Sequence, residues 1–413
     1  MIATKHKILL MVFIAGFLLC ACEERKDEKK GYDLPLKEAE QEEAATECKG
    51  MMEQIRSIYR LADKGETTNV VLDDETMLEM QKAVIETGYP VSTTVACSDM
   101  GNYKKADQFL TDCKNGESGS VVIYEVRQDG GINRRKFTYN GTDMYVVSTS
   151  SVWLENNTPG IAYTSYTRIK EWKYTENGWF GYELCVPKPP EVTEIIDGSQ
   201  MFKIKPRTEE QKEMSRLCVQ GIGYQGNNLL CADWNLDNLG TLDYNGLYEY
   251  LYRMKYGEQF QGEKYTEGIP KAEFEGLMME YLPISEKELQ EYAEFNEETN
   301  MYAWAPLGCG NYAPDFLGTS LPEVVAIKEN PDGTVILTVN AVCDMVLCDD
   351  SLITHELTVK FKEDGSFQYL GNEIRKEDRN NVPEYQYRVK EYKQSSGKES
   401  FRTFSRLCLS PYI

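Results

Sequence analysis

The sequence predicts an α+β fold made of two units, each a group of helices followed by an antiparallel β meander. Three observations carry this. Apolar residues recur at three- and four-residue steps over 48–114 and again over 209–295, the period changes to two after each of these stretches, and turn pairs punctuate the period-two segments. Those pairs are Asp129-Gly130, Asn140-Gly141 and Asn177-Gly178, then Asp332-Gly333 and Asp364-Gly365. They supply the positive φ that tight hairpins demand. A chain of 413 residues with 41% hydrophobic content is long enough for two domains. Helices laid on one face of an antiparallel sheet is the expected layering. Helices before a curled meander also describes cystatin-like and NTF2-like folds, an analogy of shape that carries no function.

The chain opens with Lys5 and Lys7, runs apolar from Ile8 to Leu19, and turns abruptly to Glu23, Glu24, Arg25 and Lys26. A membrane-spanning helix needs about 20 apolar residues, so this run has the form of a secretory signal instead. Leu19-Cys20-Ala21-Cys22 resembles the bacterial lipobox, with an aliphatic residue three positions before, and a small one immediately before, the cysteine that receives the lipid. Cys20 fails the same test because Leu19 is too large for the small-residue position. The expectation is a lipoprotein signal peptide over 1–21, acyl chains such as palmitate on Cys22, and a mature chain anchored at the extracytoplasmic face of a cell membrane. Residues 22–47 are charged and almost free of large apolar groups, which reads as a tether.

From Cys48 the pattern is helical, with Met51, Ile55, Ile58, Tyr59 and Ala62 on one face. Further helices are expected over 74–87 and 102–113, then strands rich in β-branched and aromatic residues from 120–127 to 179–186. Pro187, Pro189 and Pro190 mark the boundary between an N-terminal domain, 48–187, and a C-terminal domain, 191–374. The second domain opens with a strand at 201–206 and continues with helices over 209–218, 244–255, 270–282 and 285–295. Phe274, Leu277, Met278 and Tyr281 make an apolar stripe, Pro270 suits a first turn, and Ser285 with Glu288 forms a capping box. Strands over 301–307, 323–330, 334–342, 352–361 and 366–374 complete it, and 375–413 is a C-terminal extension.

Without residues 1–21 the chain holds 43 basic residues against 67 acidic, a net charge of −24. Such a surface repels phosphates, which excludes nucleic acid as a partner. Only His6 and His355 are present, so a histidine mechanism would rest on His355, beside Glu356 on a strand. Nothing in the spacing requires its pairing with Cys343 or Cys348. Multi-histidine zinc sites are excluded by the same count. Asp233, Asn235 and Asp237 have calcium-loop spacing, but Asn238 stands where glycine is needed and Tyr244 where glutamate is needed. Ser395 and Lys398 have the serine-x-x-lysine spacing of penicillin-binding enzymes without their companion motifs. No catalytic set, metal or cofactor is expected.

The segments EFEGLMMEYLPISEKELQEYAEF, YAWAPLGCGNYAPDFLGTSLPEV and VCDMVLCDDSLITHELTVKFKEDGSFQYLGNEI resemble the C-terminal region of an uncharacterised lipoprotein family of Gram-positive, clostridial-type bacteria, mainly over 265–374. The resemblance implies location and origin. It brings no activity and no catalytic residue.

Setting Cys20 and Cys22 aside leaves ten cysteines, an even number that in an extracytoplasmic chain favours disulfides. Cys343 with Cys348 is the first candidate pair, at a strand-to-strand connection, and Cys218 with Cys231 the second. The stretch MYAWAPLGCGNYAPDFLG sets Tyr302, Trp304, Tyr312 and Phe316 among Pro306, Gly308, Gly310 and Pro314, too many backbone breakers for a regular core strand. Aromatics on a loop held by rigid turns suit a groove for a sugar or peptide. Plain packing over the end of the sheet is the competing expectation. The function expected is a non-catalytic binding or accessory module for an extracellular glycan or peptide. A cell-surface hydrolase is the alternative.

Overall fold

The structure is a computed structural model that describes residues 30–65, 69–95, 98–307, 316–343 and 350–389. It shows a mixed α+β protein divided into two compact units, the first ending at Pro206 and the second starting at Arg207.

In unit 1, α1 (Glu38–Leu61), α2 (Asp74–Ile85) and α3 (Lys104–Lys114) accompany a seven-stranded sheet. Its strands are β1 (Val91–Thr93), β2 (Gly119–Val126), β3 (Ile132–Tyr139), β4 (Met144–Leu154), β5 (Thr158–Tyr174), β6 (Trp179–Leu184) and β7 (Ser199–Lys203), hydrogen-bonded in sequence order. β1 runs parallel to β2, and every later pair is antiparallel. Gly130, Gly141 and Gly178 take φ of 74°, 96° and 82°, as their turn pairs require.

The helices of unit 1 do not all lie on one face. Ile123 and Tyr124 are successive residues of β2 and so point to opposite sides of the sheet. Ile123 shares a core with Phe109 and Leu110 of α3, whereas Tyr124 shares one with Met52 of α1 and Met77 of α2. The sheet also curls. Phe137 on β3 meets Phe180 and Tyr182 on β6 at 5.3 and 5.4 Å between ring centroids, although three strand spacings across a flat sheet would hold them about 14 Å apart. Register shifts at Ser150/Ser151 and Ile169/Glu171 accommodate the bend.

Two boundaries move. The strand expected to open the C-terminal domain is β7, which pairs with β6 and sends Phe202 into the core of unit 1, so the division falls after Pro206 and not at the earlier prolines. From residue 30 onward the expected tether is part of unit 1. Leu34 is buried with its N–H on the Tyr166 carbonyl, Arg168 N–H bonds the Gly31 carbonyl, and Glu47 on α1 accepts from Arg134 at 2.7 and 2.6 Å. Apart from Glu47, most of its charges face solvent, and Ala44 with the following Cys48 faces inward, a stripe too sparse to show against the acidic background.

Unit 2 holds α4 (Glu209–Met214), which runs into a π-helical turn (Ser215–Val219), then α5 (Tyr244–Tyr256), α6 (Lys271–Tyr281) and α7 (Glu286–Tyr292). A small sheet of β8 (Ile269–Pro270), β10 (Met301–Tyr302) and β9 (Phe295–Asn296), in that spatial order, is interleaved with the helices. Strands of two residues leave no period-two signal, and they depart from a plain helices-then-meander order. The antiparallel sheet β11 (Leu321–Glu329), β12 (Thr334–Val342), β13 (Thr354–Phe361) and β14 (Phe367–Ile374) comes last. Capping boxes at Thr208/Gln211 and Ser285/Glu288 start α4 and α7, and the α6 stripe of Phe274, Leu277, Met278 and Tyr281 is buried. Within the π turn, Ser215 Oγ donates to the Gln211 carbonyl at 2.7 Å and accepts from Val324 N–H at 3.0 Å, which fixes the helix to β11. No helix among the described residues is long and apolar enough to cross a membrane.

Candidate functional site

A column of aromatic rings runs from the core of unit 2 to its surface. At the root, Tyr302 of β10 lies on Phe274 of α6 with centroids 4.0 Å apart and planes 11° from parallel. Phe274 stacks on Tyr248 of α5 at 5.2 Å, and Tyr248 meets Phe260 edge-on at 5.5 Å. Phe260 is the hub. Tyr252, Tyr265 and Trp304 surround it at 5.3, 5.0 and 5.1 Å, and Tyr256 extends the column from Tyr252 at 4.6 Å. Tyr302, Phe274 and Tyr248 are buried, Phe260 and the three rings around it are half-buried, and Tyr256 is 53% exposed.

Local sequence explains the column. Tyr248, Tyr252 and Tyr256 recur at four-residue steps and share one face of α5. Gly257 ends that helix in the left-handed region, with φ of 68°, and the chain reverses to lay Phe260 back on it. The turn Gly262–Tyr265 then lifts Tyr265 onto Phe260; position 262 must be glycine because a Cβ there would sit 2.0 Å from the Trp304 ring. Pairing of Tyr302 with Ile269 and Phe295 sets where Trp304 emerges. Burial, reinforced by the Glu273 carboxylate that accepts its hydroxyl at 3.1 Å, pushes the Tyr265 phenol up to about 12. Glu258, Glu263 and Glu267 form an exposed acidic rim.

A family match runs over residues 41–388, from within α1, through both units, to Arg388. The chain belongs to DUF6070, a family of unknown function. No curated protein and no solved structure matches this DUF6070 chain.

Of the four aromatics expected to line a groove, Tyr302 is a core residue, 0% exposed, with its hydroxyl on the buried Glu275 carboxylate at 2.8 Å. It cannot touch a ligand. Trp304 stands near the tip, its indole N–H shielded and without an acceptor among the described residues, and Phe316 is 47% exposed. Tyr312 lies outside the described residues, as do Cys22, Cys348, Ser395 and Lys398. Tyr252, Tyr256, Phe260 and Tyr265 were missed. Their signal, tyrosines at helical spacing before Gly257, reads equally well as a core stripe.

His355 is 0% exposed. Its Nδ1 lies 2.5 Å from Asn372 Oδ1 and its Nε2 2.9 Å from Tyr224 Oη. An amide oxygen only accepts, so Nδ1 carries the proton and Nε2 accepts from the tyrosine. Asn372 Nδ2 donates in turn to the carbonyls of Leu230 and Ala232 at 3.2 and 2.9 Å. Burial drives the imidazole down to about 4, with the Asn372 bond opposing. Both nitrogens face inward to partners, as a strut does and a solvent-facing base does not.

Cys343 is a buried thiol whose candidate partner, Cys348, is not among the described residues. Cys218, in the π turn, is a free thiol with 0% exposure, and burial pushes it up to about 12. The candidate bridge from Cys218 to Cys231 is not present, and the Cys231 sulfur lies 3.7 Å from the Asn227 carbonyl. The calcium reading also fails on geometry. Asp233 accepts from Ile374 N–H at 2.7 Å and pairs with Arg379 at 3.1 Å, while the side-chain oxygens of Asn235 and Asn238 accept backbone N–H groups of the same loop. Among the described residues, no group of three or more His, Cys, Asp and Glu could hold a metal ion. A shallow cleft of about 290 Å³ in unit 1 is lined by Thr111, Lys114, Tyr174 and Lys205, among others. Its polar groups engage nearby atoms, Tyr174 Oη on Asp107 at 2.6 Å and Lys114 Nζ on the Tyr174 carbonyl at 3.3 Å.

Proposed function

We propose that this protein is a lipid-anchored binding or accessory module at the extracytoplasmic membrane face, and that the outer end of the ring column in unit 2 receives a glycan or peptide. The supporting observation is the graded burial of the column: rings are locked at the root, half-open at the hub and open at Tyr256. Aromatics held in this way lose little entropy on binding and present flat apolar area with polar edges, which suits sugar faces and peptide side chains. The acidic rim favours neutral or cationic ligands over anionic ones. The lipobox at Cys22 supports the anchor, and the acyl chains supply the membrane contact that an acidic surface does not. Helices packed against a curled, mostly antiparallel sheet support the cystatin-like or NTF2-like analogy for unit 1 as one of general shape. The hydrolase reading has less behind it, because the one histidine of the described residues is turned inward.

The test is a screen of the protein lacking residues 1–21 against oligosaccharide and peptide panels. Tyr256→Ala should weaken whatever binding is found by about tenfold or more, as hot-spot aromatics do, with the melting temperature unchanged. No binding on either panel, or binding indifferent to substitution of Tyr256 and Phe260, overturns the ring column as the binding site. The anchor is tested apart from it: Cys22→Ala should release the protein or leave an unprocessed precursor, and membrane-bound, processed protein would refute the lipid site.

A further inference from the structure

Residues 383–389 cross the surface of unit 2 as a strap. They belong to no helix or strand. Three side chains hold the strap instead. Tyr385 Oη donates to Asp243 at 2.7 Å, Tyr387 Oη donates to the Thr241 carbonyl at 3.1 Å, and Arg388 plunges into a pocket where its side chain is 1% exposed.

That pocket is made of acceptors. Arg388 donates to the Gly226 carbonyl from Nε and Nη2 at 3.2 and 2.9 Å, to the Ala305 carbonyl at 3.3 Å, to the Gly246 carbonyl at 3.4 Å and to Glu249 Oε1 at 2.9 Å. The Tyr250 ring lies beneath the guanidinium at 5.8 Å. Gly226 is cut to fit, since it takes φ of 72° and a Cβ there would stand 2.6 Å from Arg388 Nη2. Two of these acceptors, the Gly246 carbonyl and Glu249, stand with Tyr250 on α5, a helix started without the strap by Asp243, which accepts Gly246 N–H at 3.0 Å. The α5 side of the pocket therefore stays in place when the strap lifts. A planar fork of donors matches carbonyls and a carboxylate arranged in this way, and a spherical ammonium does not.

We infer that this pocket is a guanidinium-binding site, filled in cis by Arg388 and entered by the arginine side chain of a peptide partner when the strap lifts. The site is separate from the ring column and does not rest on it. Arg388→Ala in the otherwise full chain empties the pocket, and agmatine, a butylamine bearing one guanidinium, probes it. By titration calorimetry the variant should bind agmatine with a Kd of about 1 mM or tighter, within the affinity that a ligand of this size can reach. Putrescine, the same chain with an ammonium in place of the guanidinium, should bind about tenfold more weakly or worse. Adding Glu249→Gln should cost agmatine about tenfold or more, the loss expected on removing a charge-assisted bond. The native chain, already filled, should bind neither. Equal binding of the two amines, equal binding by native chain and variant, or no agmatine binding by the folded variant overturns the proposal. Should Arg388→Ala not fold by itself, agmatine and not putrescine must restore its near-UV circular dichroism. Failure to restore it overturns the proposal as well.

Discussion

Lowering the pH from 7.5 to 5 should cost unit 2 about 2 kcal/mol through His355 alone. The imidazole is held at about 4 in the fold, chiefly by burial, against an ordinary value near 6.5. Between those two values the unfolded chain binds a proton that the native chain refuses, so stability rises with pH across the window. The contribution is fully present above about pH 6.5, falls with a slope approaching 1.4 kcal/mol per pH unit below it, and reaches about 3 kcal/mol lost once the native ring also protonates near pH 4. Protonation would place a second donor at Nε2, where the Tyr224 hydroxyl now donates, so that hydroxyl must turn to accept while the charge is held without hydration.

Two measurements check this. Histidine side-chain NMR is simple because the sequence holds only His6 and His355, and one of the two should show no titration between pH 7.5 and 5. Urea midpoints at pH 7.5, 6 and 5 should be compared for the native chain and His355→Gln, in which the many titrating carboxylates cancel. The variant should be less stable at pH 7.5, with a pH slope smaller by close to one proton. A His355 resonance titrating near 6, or parallel slopes for the two chains, would refute the reasoning.

A chain starting at Cys48, the boundary that the tether reading would choose, should lose about 3 kcal/mol or more, because it removes the partner of Arg134, whose side chain is 2% exposed. Chemical denaturation of that chain and of Glu47→Ala checks this, and the point mutant should reproduce most of the loss. Tyr302→Ala should cost about 3–5 kcal/mol and Tyr256→Ala less than about 0.5, which calorimetric melts separate readily. Cys113 and Cys218, pushed up to about 11 and 12 mainly by burial, should resist iodoacetamide in the native protein and react on unfolding, as mass mapping would show.

Local chemistry was legible where one residue type admits one conformation. The Asx-Gly hairpins and the Ser285/Glu288 box are such cases, since positive φ and an orphan N–H each narrow the choice of residue. The features that escaped depend on neighbours distant in sequence. Strand β7 has the composition of a strand, but only the pairing of Phe202 with Phe180 decides which sheet it joins. Glu47 looks like one acid among many until Arg134, far along the chain, is found beneath α1. Tyr302 and Trp304 are two residues apart with similar side chains, yet one is root and the other tip, because the two-residue strand β10 turns Tyr302 inward and releases the chain immediately afterwards.

The first turns of α5 tie these features together. Asp243 caps the helix by accepting Gly246 N–H at 3.0 Å and also accepts the strap's Tyr385 hydroxyl. Asn245 accepts Glu294 N–H at 2.9 Å and donates to the Ala303 carbonyl, which holds the segment that carries Trp304. Glu249, one turn on, takes the guanidinium of Arg388, and from Tyr248 onward the opposite polarity begins, with the rings of the column. One face of a single helix thus sets the strap while another sets the column, and both converge on residues 303–305. Lifting Arg388 removes the donor that holds the Ala305 carbonyl at 3.3 Å, one residue from Trp304. Occupancy of the guanidinium pocket and the position of the Trp304 ring are therefore mechanically adjacent, and a ligand at one has a short covalent path by which to alter the other.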